Sequence, residues 1–313
     1  MSRIVVLGEL NPDLILANYS SFPEAGKEVV VEDCTLTLGS ASAICAMALA
    51  KLGNEVRFVS QVGADLYGDF CLELLRGAGI DTTYVDQTSS TKTGITVSVS
   101  SCSDRALITY PGALATFEAA HVTGAVFMGF EHLHMSSYFL QPRVRPRMAG
   151  LMRAATAQGL TTSLDPGFDP SERWGTDLVQ TLKDVDLFFP NEVELRGITG
   201  DNDVERAVRS LANGRTLTVA KLGAEGCFTI VDNCVICQEA FPIDAVDTTG
   251  AGDTFNAGFM HAWLKKEPVP ACLRWGAACG ALSTLAPGIQ SQPSTAQAEE
   301  LLAHALQQAR GKS

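Results

Sequence analysis

The chain has 313 residues, 46% hydrophobic and 19% charged, which supplies a globular core and excludes a disordered chain. A formal net charge of −12 repels phosphodiester backbones and anionic bilayers, so neither nucleic acid nor a membrane is the expected main partner. Nine cysteines form no framework, no apolar run reaches spanning length, and MSRIVVLGEL lacks signal-peptide architecture, so a cytoplasmic protein is expected.

In chain order, RIVVLG (3–8) reads as a buried strand and ASAICAMALAKLG (41–53) as a small-residue helix ended by Gly53. VRFVSQVG (56–63) is another strand. LTTSLDP, DLFFPNE, LTVAKLG and CFTIV follow between 160 and 231, each near a helical segment. Apolar strands separated by helices predict one α/β domain over 1–313, with a mostly parallel sheet covered on both faces. DCTLTL (33–38) and GITVSVSS (94–101) instead alternate apolar and polar residues, which predicts strands with one wet face. With DLILANY and RALITY they suggest a small sheet inserted from about 14–38 and 92–112. It could be a lid, a dimer surface or an antiparallel edge extension.

The stretch DTTGAGDTFNAGF (247–259) carries the sharpest chemical signal. Phe255, Phe259, Ala262 and Trp263 recur at helical spacing, so a helix begins near Gly252. Its first amides have no intrahelical partner, and the helix dipole adds positive potential there. The backbone of Gly250, Ala251 and Gly252 can thus cradle a phosphate, with Asp253 beside it to take a proton from an attacking hydroxyl. A plain glycine turn with an acidic residue favouring the helix start is the alternative. Asp13 follows VVLGELNP, just past a strand end, where it can accept bonds from sugar hydroxyls or simply form a turn.

Other residues draw less from their surroundings. His132 and His134 alternate on a strand-like stretch and could flank a sugar, but have no third partner for a metal. Arg143, Arg145 and Arg147 read as a solvated lead-in to a helix with Pro146 in its first turn, with phosphate contact left open. Arg105, Tyr110 and Pro111 could reach or cover a ligand from the small sheet. Cys234 and Cys237 make a single C-x-x-C without a second ligand pair.

DTTGAGDTFNAGF resembles the C-terminal signature of the ribokinase/PfkB family of carbohydrate kinases. GELNPDLIL, GSASAICAMALAKLG, VGADLYGD, SLDPGFDP, PNEVELRGITG and KLGAEG follow the family's order over nearly the whole chain. The resemblance implies a three-layer ribokinase-like fold and transfer of the ATP γ-phosphoryl group to a hydroxyl, primary by expectation, of a small carbohydrate, with Mg²⁺ required. Asp253 would be the base, and the Gly250, Ala251 and Gly252 amides the anion hole. Asn11, Asp13, Gly39, Ser40, Ile44 and Ser137 would line the acceptor site. Asn191, Lys221, Gly223, Gly226 and Gly276 would attend the nucleotide, with Glu194 holding magnesium through water. Asp247, Thr249, Ser283, Ala286 and Gly288 would make a K⁺ site, and the small sheet would serve as a lid and a homodimer surface.

Three departures bear on the ligands. Ser40 replaces a second glycine, and Ile44 stands where the family usually has asparagine, removing one polar contact to a sugar. GSASA lacks the lysine expected of members taking phosphorylated sugars, which points to an uncharged acceptor. Gly276 replaces a common polar side chain at the base-facing end. A nucleoside kinase of the same fold and a non-catalytic sugar sensor remain alternative readings.

Overall fold

The computed structural model describes residues 1–19, 21, 22, 24–100, 105–118 and 122–311. The strands run β1 (Arg3–Leu7), β2 (Pro12–Ala17), β3 (Asp33–Leu38), β4 (Glu55–Gly63), β5 (Asp81–Thr88), β6 (Ile95–Ser100), β7 (Arg105–Tyr110), β8 (His132–Met135), β9 (Thr161–Leu164), β10 (Leu187–Phe188), β11 (Leu217–Lys221), β12 (Cys227–Val231) and β13 (Cys234–Gln238). Between and after them come α1 (Ala41–Lys51), α2 (Leu66–Gly77), α3 (Met148–Ala157), α4 (Asp177–Thr181), α5 (Glu192–Thr199), α6 (Val204–Ser210), α7 (Ala251–Leu264), α8 (Val269–Ser283) and α9 (Thr295–Gly311). Among the described residues no helix is long and apolar enough to cross a membrane.

Nine strands form one sheet in the order β13-β12-β11-β10-β9-β8-β1-β4-β5. From β5 to β11 the neighbours pair in parallel, while β11–β12 and β12–β13 are antiparallel. CFTIV therefore belongs to a terminal meander and not to the parallel run. The alternation along β1 explains the three layers. Ile4 and Val6 enter the core under α1, α2, α7, α8 and α9, whereas Val5 and Leu7 enter the core under α3, α4, α5 and α6. All four are fully buried, and each such side chain contributes about 1.5–3 kcal/mol of hydrophobic stabilisation.

The second sheet has the order β3-β2-β6-β7. Register puts Asp13, Thr37, Thr96 and Thr109 in one row, and Leu14, Leu36, Val97 and Ile108 in a row on the opposite face. The apolar row holds the solvent-facing side chains, since Leu36 is 40% and Ile108 62% exposed while Thr37 is buried. The alternation thus marked the right strands, but water meets their apolar side. Tyr110 shares that side, away from Asp13, and is exposed. The Arg105 side chain lies outside the described part of the structure.

The two histidines sit within the main sheet and not beside a ligand. As mid-sheet residues of β8 they are enclosed by both layers. His132 bonds Thr161 Oγ1 (2.8 Å) and Ser163 Oγ (2.7 Å), and His134 bonds Ser163 Oγ (2.7 Å) and Ser136 Oγ (2.9 Å). Burial lowers the affinity of both rings for a second proton, His134 to a pKa of about 4, so they stay neutral. The arginine cluster is also not simply solvated. Arg145 makes two 2.7 Å bonds to Asp177 and lies over the Tyr138 and Phe139 rings, and Arg143 pairs with Glu118. Cys234 and Cys237 are exposed on β13, and three-residue spacing on a strand points them to opposite faces.

Candidate active site

Parallel strands end at a common edge, and the chain reverses its direction of travel across the sheet at β1, which lies between β4 and β8. Open α/β sheets bind ligands at the carboxyl ends beside such a point. Beyond those ends stand Glu9 after β1, Ser136 and Ser137 after β8, Asp165 after β9, Asn191 after β10 and Lys221 at the end of β11.

The centre of this edge is a buried ionic knot. Lys221 Nζ donates to Asp165 Oδ2 (2.6 Å) and Asn256 Oδ1 (3.3 Å), and Asn256 Nδ2 donates to the same Asp165 oxygen (2.6 Å). Burial alone would raise the Asp165 pKa, but the ammonium and these bonds hold it below the ordinary carboxylate value. Burial would likewise lower that of Lys221, but Asp165, Glu194 and Asp253 hold it up.

Helix α7 opens onto this knot. Gly250 caps it in the left-handed region (φ 73°), which a glycine adopts without steric penalty. Thr254 N–H is bonded to Gly250 O (2.9 Å), so the amides of Gly252 and Asp253 lie at the helix mouth. The Ala251 amide makes a long turn bond to Thr248 O (3.3 Å). A methyl on Gly252 would sit 3.4 Å from Lys221 Nζ, so bare backbone and ammonium face the same space. Asp253, half-buried, has its pKa held well above the carboxylate range, first by desolvation and then by Asp165, with Lys221 opposing and Glu9 and Glu194 adding. Such a group readily accepts a proton.

A cleft of about 670 Å³ opens on the other side of this helix mouth. Asn191, Lys221, Gly223, Gly226, Gly252 and Phe255 are among its walls. Backbone and apolar surface dominate it, as a flat aromatic ligand with a phosphate tail requires. Gly276 does not line it. That residue is buried on α8, where an added methyl would lie 2.8 Å from the Phe255 ring. A second cleft, about 770 Å³, opens between α1, α2 and residues 289–292, and none of the carboxylates named above lines it.

Asn191 and Glu194 form a capping box at the start of α5, with Glu194 N–H donating to Asn191 Oδ1 (2.9 Å) and Asn191 N–H to Glu194 Oε2 (2.8 Å). Burial and the Asp165 charge push the Glu194 carboxyl up to about 7, partly offset by Lys221 and the Asn191 bonds. A carboxylate so short of positive charge suits a divalent cation. Among the described residues no group of three or more His, Cys, Asp or Glu side chains that could hold a metal ion occurs.

The other face of the helix mouth is polar. Asp13 lies against Gly39, where any side chain would collide with its carboxylate at 2.0 Å. Ser40 Oγ accepts from Asn11 N–H (2.8 Å) and donates to Asn11 Oδ1 (3.0 Å). Ile44 reaches under Gly250, to within 2.9 Å of where a methyl there would be. Ser137 Oγ donates to Glu9 Oε1 (2.5 Å). Among the expected acceptor residues the structure joins Asn11 with Ser40, Asp13 with Gly39 and Ile44 with Gly250, and the expected nucleotide residues Asn191, Lys221, Gly223 and Gly226 line the cleft whereas Gly276 does not.

The five residues expected around K⁺ gather, with Ser291 among them. Asp247 accepts from Thr249 N–H and Gly288 N–H (2.9 Å each), and Ser291 Oγ donates to Ser283 O (2.6 Å) and contacts Ala286 O (3.3 Å).

Glu9, Asp165 and Asn256 are parts of this edge that motif reading did not single out. The available signal was positional: Glu9 and Asp165 are carboxylates just past the ends of strands.

Comparison with known proteins places this geometry. The sequence pattern of "pfkB family carbohydrate kinase" matches residues 1–296. A ribokinase of Haemophilus influenzae is 28% identical, covering 96% of this chain and 99% of the relative. An ATP-dependent ribose-1-phosphate kinase of Halopiger xanaduensis is 29% identical, covering 94% and 96%. The structure of Arabidopsis thaliana ribokinase complexed with ribose and ATP superposes with a TM-score of 0.84 at 25% identity, covering 96% of this chain and 99% of that one.

Proposed function

The chain belongs to the pfkB family of carbohydrate kinases, and on that premise we propose that it transfers the γ-phosphoryl group of ATP to a hydroxyl, primary by preference, of a small sugar. Asp253 carries the reading. It stands in the first turn of α7, whose Gly252 lines the apolar cleft and whose cap Gly250 lies against Ile44, and its proton affinity is raised.

ATP occupies the 670 Å³ cleft with its phosphates toward Gly252 and Lys221. Asp13 and Asn11 orient the acceptor by accepting and donating hydrogen bonds. Asp253 takes the proton of the attacking hydroxyl, and the helix-mouth amides with the Lys221 ammonium stabilise charge on the transferring group. Magnesium, held through Glu194 and Asn191, would neutralise the phosphates. The polar row of the small sheet closes over the acceptor and excludes water. Its exposed apolar row, with Leu36 and Ile108, supports a homodimer through that sheet.

The relatives named ribokinase and ribose-1-phosphate kinase are about equally similar, so overall likeness does not choose between a free and a phosphorylated sugar. The decisive experiment is ADP release with Mg-ATP over pentoses, hexoses, nucleosides and sugar phosphates such as ribose 1-phosphate. At least one acceptor should reach a kcat/KM of about 10⁴ M⁻¹s⁻¹ or more. Release no faster than acceptor-free hydrolysis across the panel would remove the kinase reading and favour a sugar sensor.

A further inference from the structure

Glu9 is the first side chain beyond β1 and is 3% exposed. Ser42 Oγ donates to its Oε2 (2.9 Å) and Ser137 Oγ to its Oε1 (2.5 Å), and among the described residues no lysine or arginine forms an ion pair with it. Two local features serve this arrangement. Any side chain on Gly8 would collide with Ser42 Oγ at 1.8 Å, so only glycine there lets Ser42 reach the carboxylate. Ser137 adopts a left-handed backbone (φ 55°), uncommon for a residue with a side chain. A buried carboxylate without a cation is unfavourable unless hydrogen-bonded, and two hydroxyls only partly replace its water. The fold therefore keeps a carboxyl group where an apolar residue would be less demanding.

The start of α1 ties that carboxyl to the expected acceptor corner: Ser40 bonds Asn11, Ser42 bonds Glu9, and Ile44 presents hydrocarbon under Gly250. Glu9 also acts on Asp253 electrostatically, and the ammonium that acts on Asp253, Lys221, is already bound to Asp165 at 2.6 Å. A sugar hydroxyl can donate to a carboxylate lone pair here. A phosphate brought into the same space meets Glu9, Asp13 and Asp253 together.

We propose that Glu9 sets the charge class of the acceptor, admitting uncharged sugars and turning away phosphorylated ones; this rests on the kinase reading above. Kinetics and calorimetry on the full chain with D-ribose, 2-deoxy-D-ribose, adenosine and ribose 1-phosphate, for wild type and Glu9→Gln, test it. The wild type should prefer its best neutral acceptor over ribose 1-phosphate by at least about a hundredfold, and Glu9→Gln should shrink that preference at least about tenfold. Ser137→Ala, which keeps the charge and loosens its anchor, should weaken both classes alike. A purely structural Glu9 would also lower both alike and leave the ratio unchanged, which overturns the proposal. So does a wild type that favours ribose 1-phosphate or binds none of the neutral compounds. If ligands bind but no ADP appears, the kinase reading fails alone, and the ratio of dissociation constants still decides the role of Glu9.

Discussion

The carboxylates at the carboxyl edge of the main sheet and those on its periphery live by different rules. On the periphery each partner is at hand: Asp81 has Arg57 at 2.8 Å, Asp177 has Arg145 at 2.7 Å, and Glu205 has Arg209 at 2.7 Å one helical turn away. At the carboxyl edge, Asp165, Glu194 and Asp253 gather around Lys221, which bonds Asp165, and Glu9 adds its influence at Asp253. The first arrangement is locally complete. The second is short of positive charge, and burial makes that shortage costly. On the proposed reading, a magnesium ion would bring positive charge to this edge.

This contrast can be broken by substitution, beginning where the effect should be largest. Asp253→Asn should lower kcat by about 10²–10⁴-fold, the range for losing a general base, while the dissociation constant for ATP measured by titration changes little. Near-normal turnover would remove Asp253 from the chemistry. Asp165→Asn strips Lys221 of its partner and should cost about 3–5 kcal/mol in denaturant melts, as breaking a buried pair does.

Glu194 gives a pH signature. Its folded pKa of about 7 lies above the ordinary 4.5, so between those values the folded chain binds more protons than the unfolded one. The stability it contributes is present below pH 4.5 and lost as pH rises through 7, of order 3 kcal/mol in total. Metal-free Glu194→Gln keeps a capping box and should lack this part of the decline, while needing more Mg²⁺ for half-maximal turnover. An unchanged melting-temperature profile from pH 4.5 to 7.5 would contradict the assignment. On the periphery, Glu205→Gln should alter stability by less than about 0.5 kcal/mol, and a larger loss would blur the distinction between the two regions.

Much of this was legible in the sequence because it is local. Apolar strands between helices gave the covered parallel sheet, and the unadorned stretch before Asp253 gave the helix mouth. What escaped depends on distant partners. Asp165 and Lys221 are 56 positions apart in sequence, so a single motif cannot show that they bond. The small sheet kept its period of two, but which row meets water is set by what the rest of the chain packs against it. The histidines looked ligand-like because alternation alone does not tell a sheet interior from its edge. Burial on both faces decided that.

The contact between Ile44 and Gly250 carries a lesson for anyone reshaping the protein. Position 250 cannot grow, since the isoleucine methyls already occupy the space where its first carbon would go and the backbone there turns left-handed. Position 44 can shrink. Directed evolution toward bulkier alcohols therefore has an open route through valine or alanine at 44, and mutant libraries randomised at 250 should return mostly inactive clones.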